Sequence, residues 1–103
     1  MKYDKLVRDN IPSIIQAGGK SCRTKLAEGK DLTRYLKKKI KEEIDELFDD
    51  PCDEEMGDVL EVLETIATHL GVDMYSSRFS QLKKGIDKGV FSKGIILEEV
   101  YDD

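Results

Sequence analysis

The stretch that decides the fold is Asp31–Leu70, DLTRYLKKKIKEEIDELFDDPCDEEMGDVLEVLETIATHL. Leu32, Tyr35, Leu36, Ile40, Ile44, Leu47 and Phe48 recur in steps of three and four, the period of an amphipathic helix. Asp31 stands before them as an expected N-cap, its short carboxylate able to accept a backbone N–H of the first turn. Asp49-Asp50-Pro51 breaks this helix, because proline offers no N–H and clashes with the preceding turn. Asp53 is expected to cap a second long helix, whose stripe is Met56, Val59, Leu60, Leu63, Ile66, Ala67 and Leu70, with Gly71 as its stop. Two long helices joined by so short a link should run antiparallel.

Outward from this hairpin the elements are shorter. Asn10 or Ile11 should start a first helix with Pro12 in its opening turn, Ile11, Ile14 and Ile15 on one face, and Gly18-Gly19 ending it. Residues 21–27 alternate weakly between polar and apolar and predict a short extended piece. A fourth helix is expected from Asp73, turning Met74, Tyr75, Phe79 and Leu82 inward and fraying at Gly85. Ile95-Ile96-Leu97 and Val100-Tyr101 then suggest an extended segment near 95–101 that could pair with residues 22–27. The expectation is an all-α fold of four helices in a single domain, 1–103.

Composition narrows the function. Hydrophobic residues make up 39% and charged residues 38% of 103, so one small core is all the chain can build, and association with further copies is expected. The net charge of -5, from 22 acidic and 17 basic residues, argues against a generic grip on nucleic-acid backbones. Cys22 and Cys52 stand far apart without His-rich company, which fits free thiols in a reducing, cytoplasmic setting better than zinc. The opening residues carry no apolar signal core, and no apolar run approaches the roughly 20 residues that span a bilayer.

The acid is concentrated. Between residues 42 and 64 there are twelve Asp and Glu and no Lys or Arg. Glu42, Glu43 and Glu46 share one arc of the first long helix, while Glu55 and Asp58 are three apart on the second, so the hairpin can bring the two sets face to face near its closed end. Like charges at helical spacing cost a few tenths of a kcal/mol each, and a stability-driven sequence would interleave lysine. A solvated acidic face is the plainer explanation of the spacing alone. A hard dication is the other, since magnesium takes carboxylate oxygens together with water and substrate phosphates. Glu43 and Glu55 border the apolar stripes, which favours the metal; Asp45, Asp49, Asp50, Glu61 and Glu64 fit the solvated face, although Glu61 could extend the site by one turn.

The stretches Lys41–Leu47 (KEEIDEL) and Glu54–Leu60 (EEMGDVL) resemble the MazG-type all-α nucleoside triphosphate pyrophosphohydrolases. The opening YDKLVRDNIP at 3–12 and the closing KGVFSKGIIL at 88–97 are similar to a phosphoribosyl-ATP pyrophosphohydrolase-like branch of them. Together the four motifs run over nearly the whole chain. The resemblance implies a four-helix MazG-like bundle, a homodimer or homotetramer, dependence on Mg2+, and cleavage of a nucleotide between its α and β phosphates. By motif position it implies Glu43, Glu46, Glu55 and Asp58 as metal ligands, with Glu42 next in line. Two departures stand out: Asp45 sits where a small apolar residue is usual, and Lys88-Gly89-Val90-Phe91 replaces Arg-Gly-Gly-Phe.

The expected activity is hydrolysis of a nucleotide substrate, with Glu46 and Glu43 as catalytic carboxylates and Glu46 as base. Lys5, Arg8, Lys84, Lys88 and Lys93 are candidates for neutralising phosphate oxygens, with ordinary surface charge as the alternative for each. Lys83 shares that choice. His69 falls in a last helical turn, where a partly charged imidazole suits the helix dipole, and is not expected to be catalytic. Phosphoribosyl-ATP as substrate, or a non-catalytic helical module that binds a nucleotide or partner chain, are the alternatives.

Overall fold

The computed structural model describes residues 1–102. It is all-α, with α1 at Ile11–Ala17, α2 at Gly29–Asp49, α3 at Asp53–Leu70 and α4 at Met74–Lys88. The chain divides into two compact units, Met1–Gly71 and a second that begins at Val72. No helix among the described residues is long and apolar enough to cross a membrane.

In the first unit α2 packs on α3, and their order reverses along the contact. Thr33 near the start of α2 meets His69 at the end of α3, while Glu43 further along α2 meets Glu55 and Asp58 at the start of α3. The antiparallel hairpin expected from the short link is therefore present. Its core is Tyr35 and Leu36 from α2 with Val59, Val62 and Ala67 from α3. A buried aliphatic side chain of this kind contributes about 1.5–3 kcal/mol.

The apolar stripes are wider than the contact they make. Leu32, Ile40, Leu47 and Ile66 are half-buried, whereas Ile44, Phe48, Met56, Leu60, Leu63 and Leu70 are exposed, Phe48 to 79%. Only the middle of each stripe can face a single partner helix, and Val62, which lay outside the expected stripe, takes an inner place. In the second unit Tyr75, Phe79 and Leu82 of α4 are exposed where an inward orientation was expected, and Met74 is exposed as well.

Several helix ends differ from expectation for local reasons. α2 begins two residues before Asp31, at Gly29, whose φ of +55 is one that glycine adopts without a Cβ penalty. The Glu28 carbonyl accepts the Leu32 N–H there, and Asp31 instead pairs with Arg34 at 2.9 Å inside the first turn. Cys52, not Asp53, is the N-cap of α3, so Asp53, Glu54 and Glu55 all lie in its first turn, where the helix dipole favours carboxylates. Gly71 ends α3 in the left-handed conformation, as expected. Asp73 caps α4 by accepting the Tyr75 N–H at 3.0 Å, and α4 continues through Gly85 to Lys88. Residues 22–27 and 95–101 form no strand, and the described residues contain no β-ladder.

At the open end of the hairpin, Thr33 Oγ1 donates to the Gly29 carbonyl at 3.2 Å and lies 2.7 Å from His69 Nε2. A hydroxyl has one proton, so with that proton on Gly29 the imidazole Nε2–H donates to Thr33. His69 is thus a structural tie between α2 and α3.

Candidate metal centre

Glu43 on α2 and Glu55 and Asp58 on α3 each offer a carboxylate oxygen, and the three oxygens lie within 4.8 Å of one another. The spacing explains this: Glu55 and Asp58 are three apart on the face of α3 that carries Val59 and Val62 towards α2, and Glu43 is seven residues beyond Leu36. Glu43 is only 6% exposed. Its Oε2 and the Oε2 of Glu55 are shielded from solvent and have no hydrogen-bond partner among the described residues. A shielded carboxylate oxygen with no partner is unfavourable unless something bonds it. Two such oxygens beside a third carboxylate make a donor set suited to a hard dication.

Cations of the chain flank the cluster. Lys39 Nζ lies 3.1 Å from Glu43 Oε1 and 3.6 Å from Glu42 Oε1. Arg8 Nη2 donates to Asp58 Oδ1 at 2.7 Å, and its Nη1 lies 3.7 Å from Glu61 Oε1. They leave the negative charge incompletely balanced. Repulsion from Glu43, with Glu55 and Glu42 adding to it, holds the Glu46 carboxyl above the usual carboxylate range. Burial does the same to Glu55, helped by Asp58, Asp50, Glu43 and Glu54.

Two clefts in the first unit run beside α2, and one of them reaches the cluster. One, of about 770 Å³, is lined by Lys5, Arg8, Ile11, Leu36, Lys39, Glu43 and Asp58 among others. The second, of about 590 Å³, is lined by Asp4, Lys5, Tyr35, Lys38, Lys39, Lys41, Glu42 and Glu46 among others. Both are of the size that holds small molecules. Their shared wall is the segment before α1, which Tyr35 anchors by donating its hydroxyl to the Asp4 carboxylate. That bond holds Asp4 below its ordinary range. The Tyr35 ring is buried, with the Arg34 guanidinium 4.4 Å from its centre.

Of the residues proposed from sequence, Glu43, Glu55 and Asp58 come together. Glu46 lies one turn along α2, exposed and outside the group of three but within its field. Glu42 is half-buried and paired with Lys39. Lys5 lines both clefts, and Arg8 is engaged with Asp58. Lys84, Lys88 and Lys93 belong to the second unit, the first two on α4 and the last in the turn after it. Lys39 was missed, although its place four residues before Glu43 is a helical ion-pair spacing. The Arg8 pairing spans 50 residues and leaves no local signal. Compared with known proteins, this chain is matched by no family model, no curated protein and no solved structure.

Proposed function

We propose that the chain is a magnesium-dependent nucleotide pyrophosphohydrolase of the MazG-like kind, splitting a nucleoside triphosphate into a monophosphate and pyrophosphate. The observation that carries this is the convergence of Glu43, Glu55 and Asp58 with two bare, shielded oxygens among them. These three side chains would hold the metal, with Glu46 and Glu42 adjoining. Magnesium bound there supplies charge that polarises the phosphate chain.

The chain's own residues do the rest. Lys5 and Arg8 along the cleft meet phosphate oxygens, and the apolar wall of Leu36 and Ile11 shields the reacting centre from bulk water. Glu46, whose proton affinity is raised by Glu43, takes the proton from a water attacking the α phosphorus. The bond from that phosphorus to the bridging oxygen breaks, and pyrophosphate leaves. Copies of the chain associate in a reducing cytoplasmic setting, covering exposed Phe48, Met56, Leu60 and Leu63. Sedimentation should accordingly give a mass above the 11.7 kDa monomer.

The test is a pyrophosphate-release assay with magnesium over deoxynucleotides, ribonucleotides and phosphoribosyl-ATP. Monophosphate and pyrophosphate should appear in equal amounts, and Glu46→Gln should lower kcat by about two orders of magnitude or more. Absence of turnover with every nucleotide would overturn the proposal.

A further inference from the structure

The Arg8–Asp58 pair sets two uses of one carboxylate against each other. Asp58 Oδ1 accepts from Arg8 Nη2 at 2.7 Å, yet Asp58 also belongs to the cluster whose oxygens lie within 4.8 Å. That the cluster lacks a ligand rests on a separate observation: Glu43 is more than nine-tenths buried and its Oε2 is bare. Arg8 sits in an irregular segment, and its side chain is 57% exposed, so packing does not hold it. Lys39 differs, being on the same helix as Glu43 and largely buried against it. A dication at the cluster would cancel the potential that holds the guanidinium, while the Asp4–Tyr35 bond would keep the segment in place. Arg8 also lines the cleft that Lys5 and Lys39 share.

We propose that Arg8 is an exchangeable counter-ion, which holds Asp58 while the cluster is metal-free and is released by the metal to grip substrate phosphate. The proposal rests on the metal-centre reading above. Its planar fork suits two phosphate oxygens at once. Metal and phosphate binding are then coupled, each favouring the other.

The test observes the guanidinium directly. Arginine side-chain 15N NMR of the intact chain should show restricted rotation for Arg8 without metal, free rotation with Mg2+ alone, and restriction again when inorganic pyrophosphate is added. In titrations, Arg8→Gln should bind Mn2+ about two- to fivefold more tightly, the range of an exposed ion pair removed from competition. The same variant should bind inorganic pyrophosphate about tenfold or more weakly at saturating Mg2+. Arg8→Lys, which keeps the charge but not the fork, should retain most of the competition and lose most of the phosphate affinity. An Arg8 signal unmoved by Mg2+ in a protein that binds Mn2+ through Glu43 and Glu55 would overturn the exchange and leave the metal centre standing. Mn2+ binding that Glu43→Gln and Glu55→Gln leave intact would remove the metal centre and the exchange together.

Discussion

Glu55→Gln gives opposite results with and without magnesium if the acidic cluster is a metal centre. Among the described residues Glu55 makes no ion pair, one of its oxygens is bare, and burial with Asp58 beside it disfavours its charge. Glutamine keeps the shape and removes that charge, so the metal-free variant should melt at the wild-type temperature or above it, as neutralised functional sites often do. With metal the order should reverse. A cation that binds the folded state alone adds RT ln(1 + [L]/Kd), about 1.4 kcal/mol at tenfold Kd. For a chain of this length that corresponds to a rise of about 5–10 °C in Tm. Wild type should show the rise and Glu55→Gln little of it, by circular dichroism in EDTA and in magnesium at matched ionic strength. Glu64→Gln is the control, since Glu64 is exposed on α3 and outside the group of three. Equal rises in all three proteins would mean that magnesium only screens an acidic surface, and the donor-set reasoning would be refuted.

Leu36→Ala should cost about 2–5 kcal/mol, read as a lower urea midpoint, because Leu36 is 2% exposed at the centre of the α2–α3 contact. The pH dependence has a definite sign. Glu46 and Glu55 have folded values raised above their ordinary 4.5, so their contribution favours folding below that value and is lost as pH rises through the folded values. Asp4, held low by Tyr35, acts oppositely and only on the acid side. Metal-free Tm should therefore fall as pH rises above the ordinary carboxylate range, and the magnesium-induced rise should be larger at the higher pH. Cys22 and Cys52 are exposed free thiols, so native protein should take up two alkyl groups per chain, and non-reducing mass spectrometry should find no internal bridge.

The hairpin was legible because its period, its proline break and its glycine stop are local properties of the sequence. Carboxylate placement followed from the same period: three residues separate Glu55 from Asp58, and Glu43 borders the stripe that α3 covers. Helix starts were less legible, since Asp31 and Asp53 are both good caps, and the choice of Glu28 and Cys52 depends on where the preceding backbone turns. Glycine at position 29 was the available sign for α2. Burial could not be read to the residue, because periodicity marks an apolar arc and not which part of it meets a partner, as Phe48 and Val62 show. Residues 22–27 and 95–101 carry β-favouring side chains, but strand formation needs a paired edge that propensity does not supply.

The three-residue link between α2 and α3 also has a kinetic consequence. Glu43, Glu55 and Asp58 fall within sixteen consecutive residues, so closing the hairpin brings them together with little loop entropy. Formation of the cluster should thus be part of an early, local folding event, and the Arg8–Asp58 contact, 50 residues apart, part of a later one. On the way to the native state the carboxylates should meet before their arginine arrives. Carboxylate repulsion therefore opposes the folding nucleus itself, and a dication present during refolding should raise the folding rate and leave the unfolding rate nearly unchanged.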